Sequence, residues 1–172
     1  MEEILSKLHD LFAALRKDSK QYIEIVEPKL THPNNDYERM FLRKALGFEK
    51  DRSAALKGLR KQLSSWLNQD SFTVPDPQDQ LKLYADTQLE QYKLHLFLRQ
   101  VEDTSTLSDD GQSKKIFSAI LEKSEQFEKE FTTYLIELEQ ELMDKWPSEA
   151  STPQALNHSD KRRLSVGSLI EQ

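Results

Sequence analysis

Residues 116–146 read IFSAILEKSEQFEKEFTTYLIELEQELMDKW. Phe117, Ile120, Phe127, Phe131, Tyr134 and Leu138 recur at alternating steps of three and four, with Ser124 in the single polar slot. A second row, Ile116, Leu121, Leu135, Leu142 and Trp146, runs beside it. Such a double stripe marks a long amphipathic helix that buries one broad face. Neither Gly nor Pro interrupts it. At ~1.5 Å per residue it would be roughly 45 Å long, so other helices must cover it. The stretch predicts a bundle.

Three more helices complete the set. The first spans 2–27, with Ile4, Leu8, Leu11, Leu15, Tyr22 and Ile25 or Val26 as its stripe and Pro28 near its end. The second starts near Asn35 or Asp36. Its stripe is Tyr37, Phe41, Ala45, Phe48, Ala55, Leu59, Leu63 and Trp66, and Gly47 offers a place to kink or split it. The third runs from Asp79 to Glu102. One of its rows is Leu81, Ala85, Leu89, Tyr92 and Leu96; the other is Leu83, Leu94, Phe97 and Val101. Residues 69–78 and 103–112 read as connectors. The predicted architecture is an all-α, antiparallel four-helix bundle over residues 1–147, followed by a flexible, disordered tail over 148–172.

The chain has 172 residues and no Cys, which excludes disulfides, thiolate metal sites and a Cys nucleophile. Its N-terminus starts acidic and lacks a signal-peptide pattern. No run approaches the ~18 apolar residues of a membrane span. These features predict a soluble, cytoplasmic protein with no membrane partner. A net charge of −6 disfavours general nucleic-acid binding.

Catalytic signatures are missing. A ferritin-type di-iron site uses Glu-x-x-His on two helices, and no Glu-x-x-His occurs. His9, His32, His95 and His158 form no pair at ligand spacing. No Gly-x-Ser-x-Gly and no glycine-rich phosphate loop is present. The segment Ala54-Ala55-Leu56-Lys57-Gly58 resembles the His-x-Leu-Lys-Gly signature of histidine phosphotransfer domains. Alanine occupies the phosphoacceptor position, 54, which excludes phosphorelay transfer there. The expectation is therefore a chain with no catalytic, metal or cofactor site.

Charge is segregated instead. Residues 37–62 carry eight basic side chains against three acidic ones, and 116–146 carry three against eight. One reading pairs these helices as neighbours. The other leaves both faces free for partners, with Arg39, Arg43, Lys44, Lys57, Arg60 and Lys61 as the binding residues. Arg52 lies close to the second stripe and is expected to snorkel outward. A helix split at Gly47 would also suit a helix-turn-helix reading of DNA.

Trp66 and Trp146 close their helices. In the tail, Arg162-Arg163-Leu164-Ser165-Val166 resembles a basophilic kinase site, so Ser165 is a candidate for phosphorylation. Leu164, Val166, Leu169 and Ile170 could dock on a partner. The expected function is a non-catalytic intracellular interaction or regulatory module with a protein partner. A nucleic-acid-binding regulator, a helical-bundle enzyme and a homodimer are the alternatives to be weighed against it.

Overall fold

The computed structural model describes residues 1–67, 72 and 74–145. It is built from α1 (Glu2–Val26), a 3-10 turn (Glu27–Thr31), α2 (Asp36–Leu67), α3 (Pro77–Leu107), α4 (Gly111–Glu122) and α5 (Ser124–Lys145). Helices α4 and α5 both pack along α3 and together make the fourth rod. The predicted all-α bundle is the observed one. No described helix is long and apolar enough to cross a membrane. The predicted tail, with Ser165 and His158, lies outside the described residues, as does Trp146.

Polar residues set the helix starts. The Asp76 carboxylate accepts from the Gln78 and Asp79 N–H groups at 2.8 and 3.0 Å, and Pro77 follows where its missing N–H costs nothing. So α3 begins two residues before the predicted Asp79. Asp110 caps α4 through the N–H groups of Gln112 and Ser113. The predicted connector 103–112 shrinks accordingly to Ser108–Asp110.

The core takes the α1 stripe as expected, with Leu5, Leu8, Phe12, Leu15 and Tyr22 fully buried. Val26 is buried and Ile25 only half-buried, which resolves that pair. Phe12 meets Phe131 of α5 with ring centroids 6.2 Å apart. Each such side chain contributes roughly 1.5–3 kcal/mol of apolar burial.

Two expectations are corrected. First, the fourth rod is not continuous. It breaks at Lys123, beside Ser124, where the apolar stripe has its polar slot. Lys123 turns back to Asp18 of α1 at 3.4 Å. Second, the α2 stripe holds only in part. Ala45, Leu59 and Leu63 are buried as expected and Leu42, Leu46 and Leu56 are buried with them, whereas Tyr37 is 69% exposed and Phe41, Phe48, Ala55 and Trp66 are half-buried. Helix α2 runs unbroken through Gly47, as the stripe on either side of it implies, and the missing Cβ there faces open space. With no turn there, the helix-turn-helix reading loses its geometry.

On α3 the rows part company. Leu83, Leu94, Phe97 and Val101 are buried; Leu81, Leu89 and Tyr92 are exposed. Burial on one face and an apolar row on another is the unusual feature of this helix.

Because Gly47 sits in a regular, open helix interior, Gly47→Ala is expected to raise stability by about 0.5–1 kcal/mol. Chemical denaturation measures it. A glycine serving as a left-handed cap would instead make the alanine variant less stable.

Candidate functional site

Two charged regions stand out, one outside and one inside. Outside, Arg39, Arg43, Lys50, Lys57 and Lys61 follow one another at steps of four, seven, seven and four, which keeps them on one face of α2. Arg39 pairs with Asp36 at 3.1 Å and Lys50 with Glu27 at 2.5 Å. Arg43, Lys44, Lys57 and Lys61 are exposed and have no ion-pair partner among the described residues. Lys44 points to a different side, toward an apolar groove of about 260 Å³ lined by Phe41, Phe48 and Leu96. Arg60 leaves the row altogether, with its Nη2 3.4 Å from His9 Nε2 on α1.

The pairing of basic α2 with the acidic fourth rod does not occur. Helix α2 packs on α1 and α3, while α5 packs on α3 and α1 from the opposite side. The two charged rods lie diagonally, and no ion pair joins them among the described residues. Both charged faces are left to solvent or to partners.

Inside, Arg52 is turned inward with 1% of its surface exposed, which corrects the expected outward snorkelling. Its Nη1 donates to Glu49 Oε1 at 2.8 Å, its Nε lies 3.8 Å from Glu90 Oε2 on α3, and its guanidinium rests 4.7 Å above the Phe97 ring. Lys93 reaches in to Glu90 at 2.7 Å. Asp18 on α1, 2% exposed, takes Lys123. Three buried carboxylates from three helices are thus balanced by three cations. Burial pushes the Glu49 carboxyl above its ordinary range, against the pull of Arg52. Burial likewise raises Asp18, with Lys123 opposing.

An aromatic wall closes one side of this centre. Tyr22 meets Phe97 edge-on at 5.4 Å and Phe117 at 5.9 Å. Thr104 uses its own hydroxyl proton on the Gln100 carbonyl at 2.6 Å, so Tyr22 donates to Thr104 Oγ1 at 2.8 Å. Burial raises the Tyr22 hydroxyl to about 12.

Ferritin-type bundles set carboxylates on facing helices at mid-height, with Glu-x-x-His on two of them. The sequence here reads Glu49-x-x-Arg52 on α2 and Glu90-x-x-Lys93 on α3. The third position after each glutamate holds a cation in place of histidine's neutral ring, and the Arg52 guanidinium lies between the two carboxylates. Among the described residues, no group of three His, Cys, Asp or Glu converges as metal ligands. The residues of this interior do not fit a metal ion. The Glu-x-x-cation pairs are visible in the sequence, but a search for histidine passes over them.

Two results test the centre. Removing one partner of a buried pair strands the other, so Arg52→Met should cost about 3–5 kcal/mol, and Glu49→Gln in that background should recover part of it in a double-mutant denaturation cycle. Tyr22 should titrate above the ordinary tyrosine range, at about 12. The folded state keeps its proton where the unfolded chain loses it, so Tyr22 contributes stability that falls as pH rises from 10 toward 12. Absorbance at alkaline pH should show one late tyrosine that Tyr22→Phe removes.

No curated protein matches the chain. A solved structure described as the crystal structure of an iron binding protein superposes with a TM-score of 0.71 at 17% identity, covering 78% of this chain and 97% of that one. At that identity the likeness shows the shared fold. Residues 8–142 match the family described as IMEF cargo Flp protein, and with most of its length inside that match the chain belongs to this family.

Proposed function

We propose that this chain is a non-catalytic cargo protein of an encapsulin-type shell in the cytoplasm, held to the shell by protein–protein contact. The observation that carries the reading is membership of a family described as cargo. The charge-balanced buried centre supports it, because its carboxylates are already taken up by cations of the chain. A cargo needs a feature that its shell can recognise. The match stops at residue 142, and the sequence beyond it becomes polar until Leu164, Val166, Leu169 and Ile170. That apolar cluster, with Lys161, Arg162 and Arg163 before it, is the shell-binding segment in this reading; the basic row of α2 is the competing contact.

A second reading, iron handling at the surface, is favoured by the acidic fourth rod and by the exposed His95–Glu128 pair, whose Nδ1 and Oε1 lie 3.1 Å apart. The structural neighbour is itself described as an iron binding protein. The acidic rod would attract cations from solution.

Co-expression with the shell protein of the source organism tests the first reading. Deleting residues 161–172 should abolish co-purification with the shell while leaving helicity unchanged. Retained loading of the deletion variant, with loss in Arg43, Lys57 and Lys61→Glu, would move the contact to α2. Loading unaffected by either would refute both. Elemental analysis after incubation with ferrous iron separates the second reading: bound iron that Glu128→Gln and His95→Ala remove would favour it.

A further inference from the structure

Between α2 and α3 lies the apolar groove of about 260 Å³. Phe41 and Phe48 of α2 and Leu96 of α3 line it, each only half-buried. Lys44 and Arg99 stand on its two sides, exposed and without an ion-pair partner among the described residues. Asp103 lines its end toward the C-terminus of α3, where Glu102 and Asp109 are likewise exposed and without an ion pair among the described residues. An apolar floor with a cation on each side and carboxylates at one end sets a pattern for its occupant. The occupant must be basic, then apolar, then acidic.

The chain carries such a segment itself. Lys161, Arg162 and Arg163 come first, Leu164, Val166, Leu169 and Ile170 follow, and Glu171 comes last. The other residues outside the described ones, 68–71, 73 and 146–160, contain no Lys or Arg, so the pattern occurs there once. Reach is sufficient. Helix α5 ends at Lys145, and residues 146–163 span up to about 60 Å when extended. Helix α2, with 32 residues, is about 48 Å long, so the segment can reach the groove from either end of the bundle.

We propose that in the free chain residues 161–171 dock in this groove of their own bundle. Leu169 and Ile170 lie on Phe41, Phe48 and Leu96, Glu171 meets Lys44 and Arg99, and the basic triplet meets the carboxylates at the end of α3. The groove thereby gains the apolar cover that neither helix gives it. The docking itself needs no shell. Its use rests on the cargo reading: where the same segment is the shell contact, groove and shell compete for it, and the groove holds the segment until a shell draws it away.

The full chain has no Cys, so Ser168→Cys supplies a single thiol for a nitroxide label. In isotope-labelled protein that label should broaden the amide signals of residues 41–48 and 96–103 and leave those of 77–83 sharp. Phe48→Asp, with helicity unchanged, should lower the docked-to-free ratio at least about tenfold. Lys44→Glu with Arg99→Glu should weaken docking, and Glu171→Lys in that background should restore it. Residues 41–48 left sharp, broadening centred on 77–89, full docking in Phe48→Asp, or charge reversal without rescue by Glu171→Lys would each overturn the proposal. So would equal broadening of isotope-labelled wild-type chain mixed with a spin-labelled one, since the segment then lies on a second copy. With shell protein present, Phe48→Asp should raise capture. Unchanged capture of that variant would overturn the competition, whereas capture of neither chain would count against the cargo reading alone.

Discussion

A guanidinium buried among carboxylates constrains this fold more than any apolar contact. Arg52 cannot reach water, so α3 must bring Glu90 to it, α2 must bring Glu49, and Phe97 must lie flat beneath it. Apolar packing tolerates sliding by a turn; a charge stranded at that depth does not. The centre therefore fixes the relative height of α2 and α3. Through Asp18 and Lys123 the same demand reaches α1 and the break in the fourth rod. Exchanging such a network for well-packed hydrophobes is often neutral or stabilising, so its value here lies in register more than in strength.

Glu49-x-x-Arg52 and Glu90-x-x-Lys93 each set a cation three residues after a buried glutamate. A carboxylate pair with a neutral imidazole is a ligand set; here Arg52 and Lys93 together balance the two glutamates. The buried charges then hold one another across α2 and α3. The outer surfaces are distinct in chemistry: a cationic row on α2, an acidic fourth rod and an apolar row on α3. Because α2 and α5 lie diagonally, the two charged faces do not cancel each other.

How far the sequence can be read follows from which signals are local. Helix number, class and the α1 core are legible, because a stripe needs only its own period. The first turns of α2 are not. Phe41 and Phe48 are as apolar as Leu42 and Leu46, and period alone does not choose between the two rows. The same ambiguity hides the exposed row of α3, where two apolar faces compete for one core. Arg52 escapes a sequence reading because arginine usually snorkels, and the compensating Glu90 lies on another helix. Arg39, Arg43, Lys57 and Lys61 lie on an outer face as expected, whereas Arg60 turns to His9. The break at Lys123 carries a faint signal in Ser124, the one polar residue of its stripe.

A sealed structural interior with recognition confined to the outside is the central claim. Hydrogen–deuterium exchange of the full chain, free and in the presence of the shell proposed for it, tests it most directly. Protection changes should be confined to the outer faces and the segment 161–172, with residues 49–53 and 90–97 unchanged. Altered exchange at those interior segments on loading, with the outer faces and the tail silent, would contradict it.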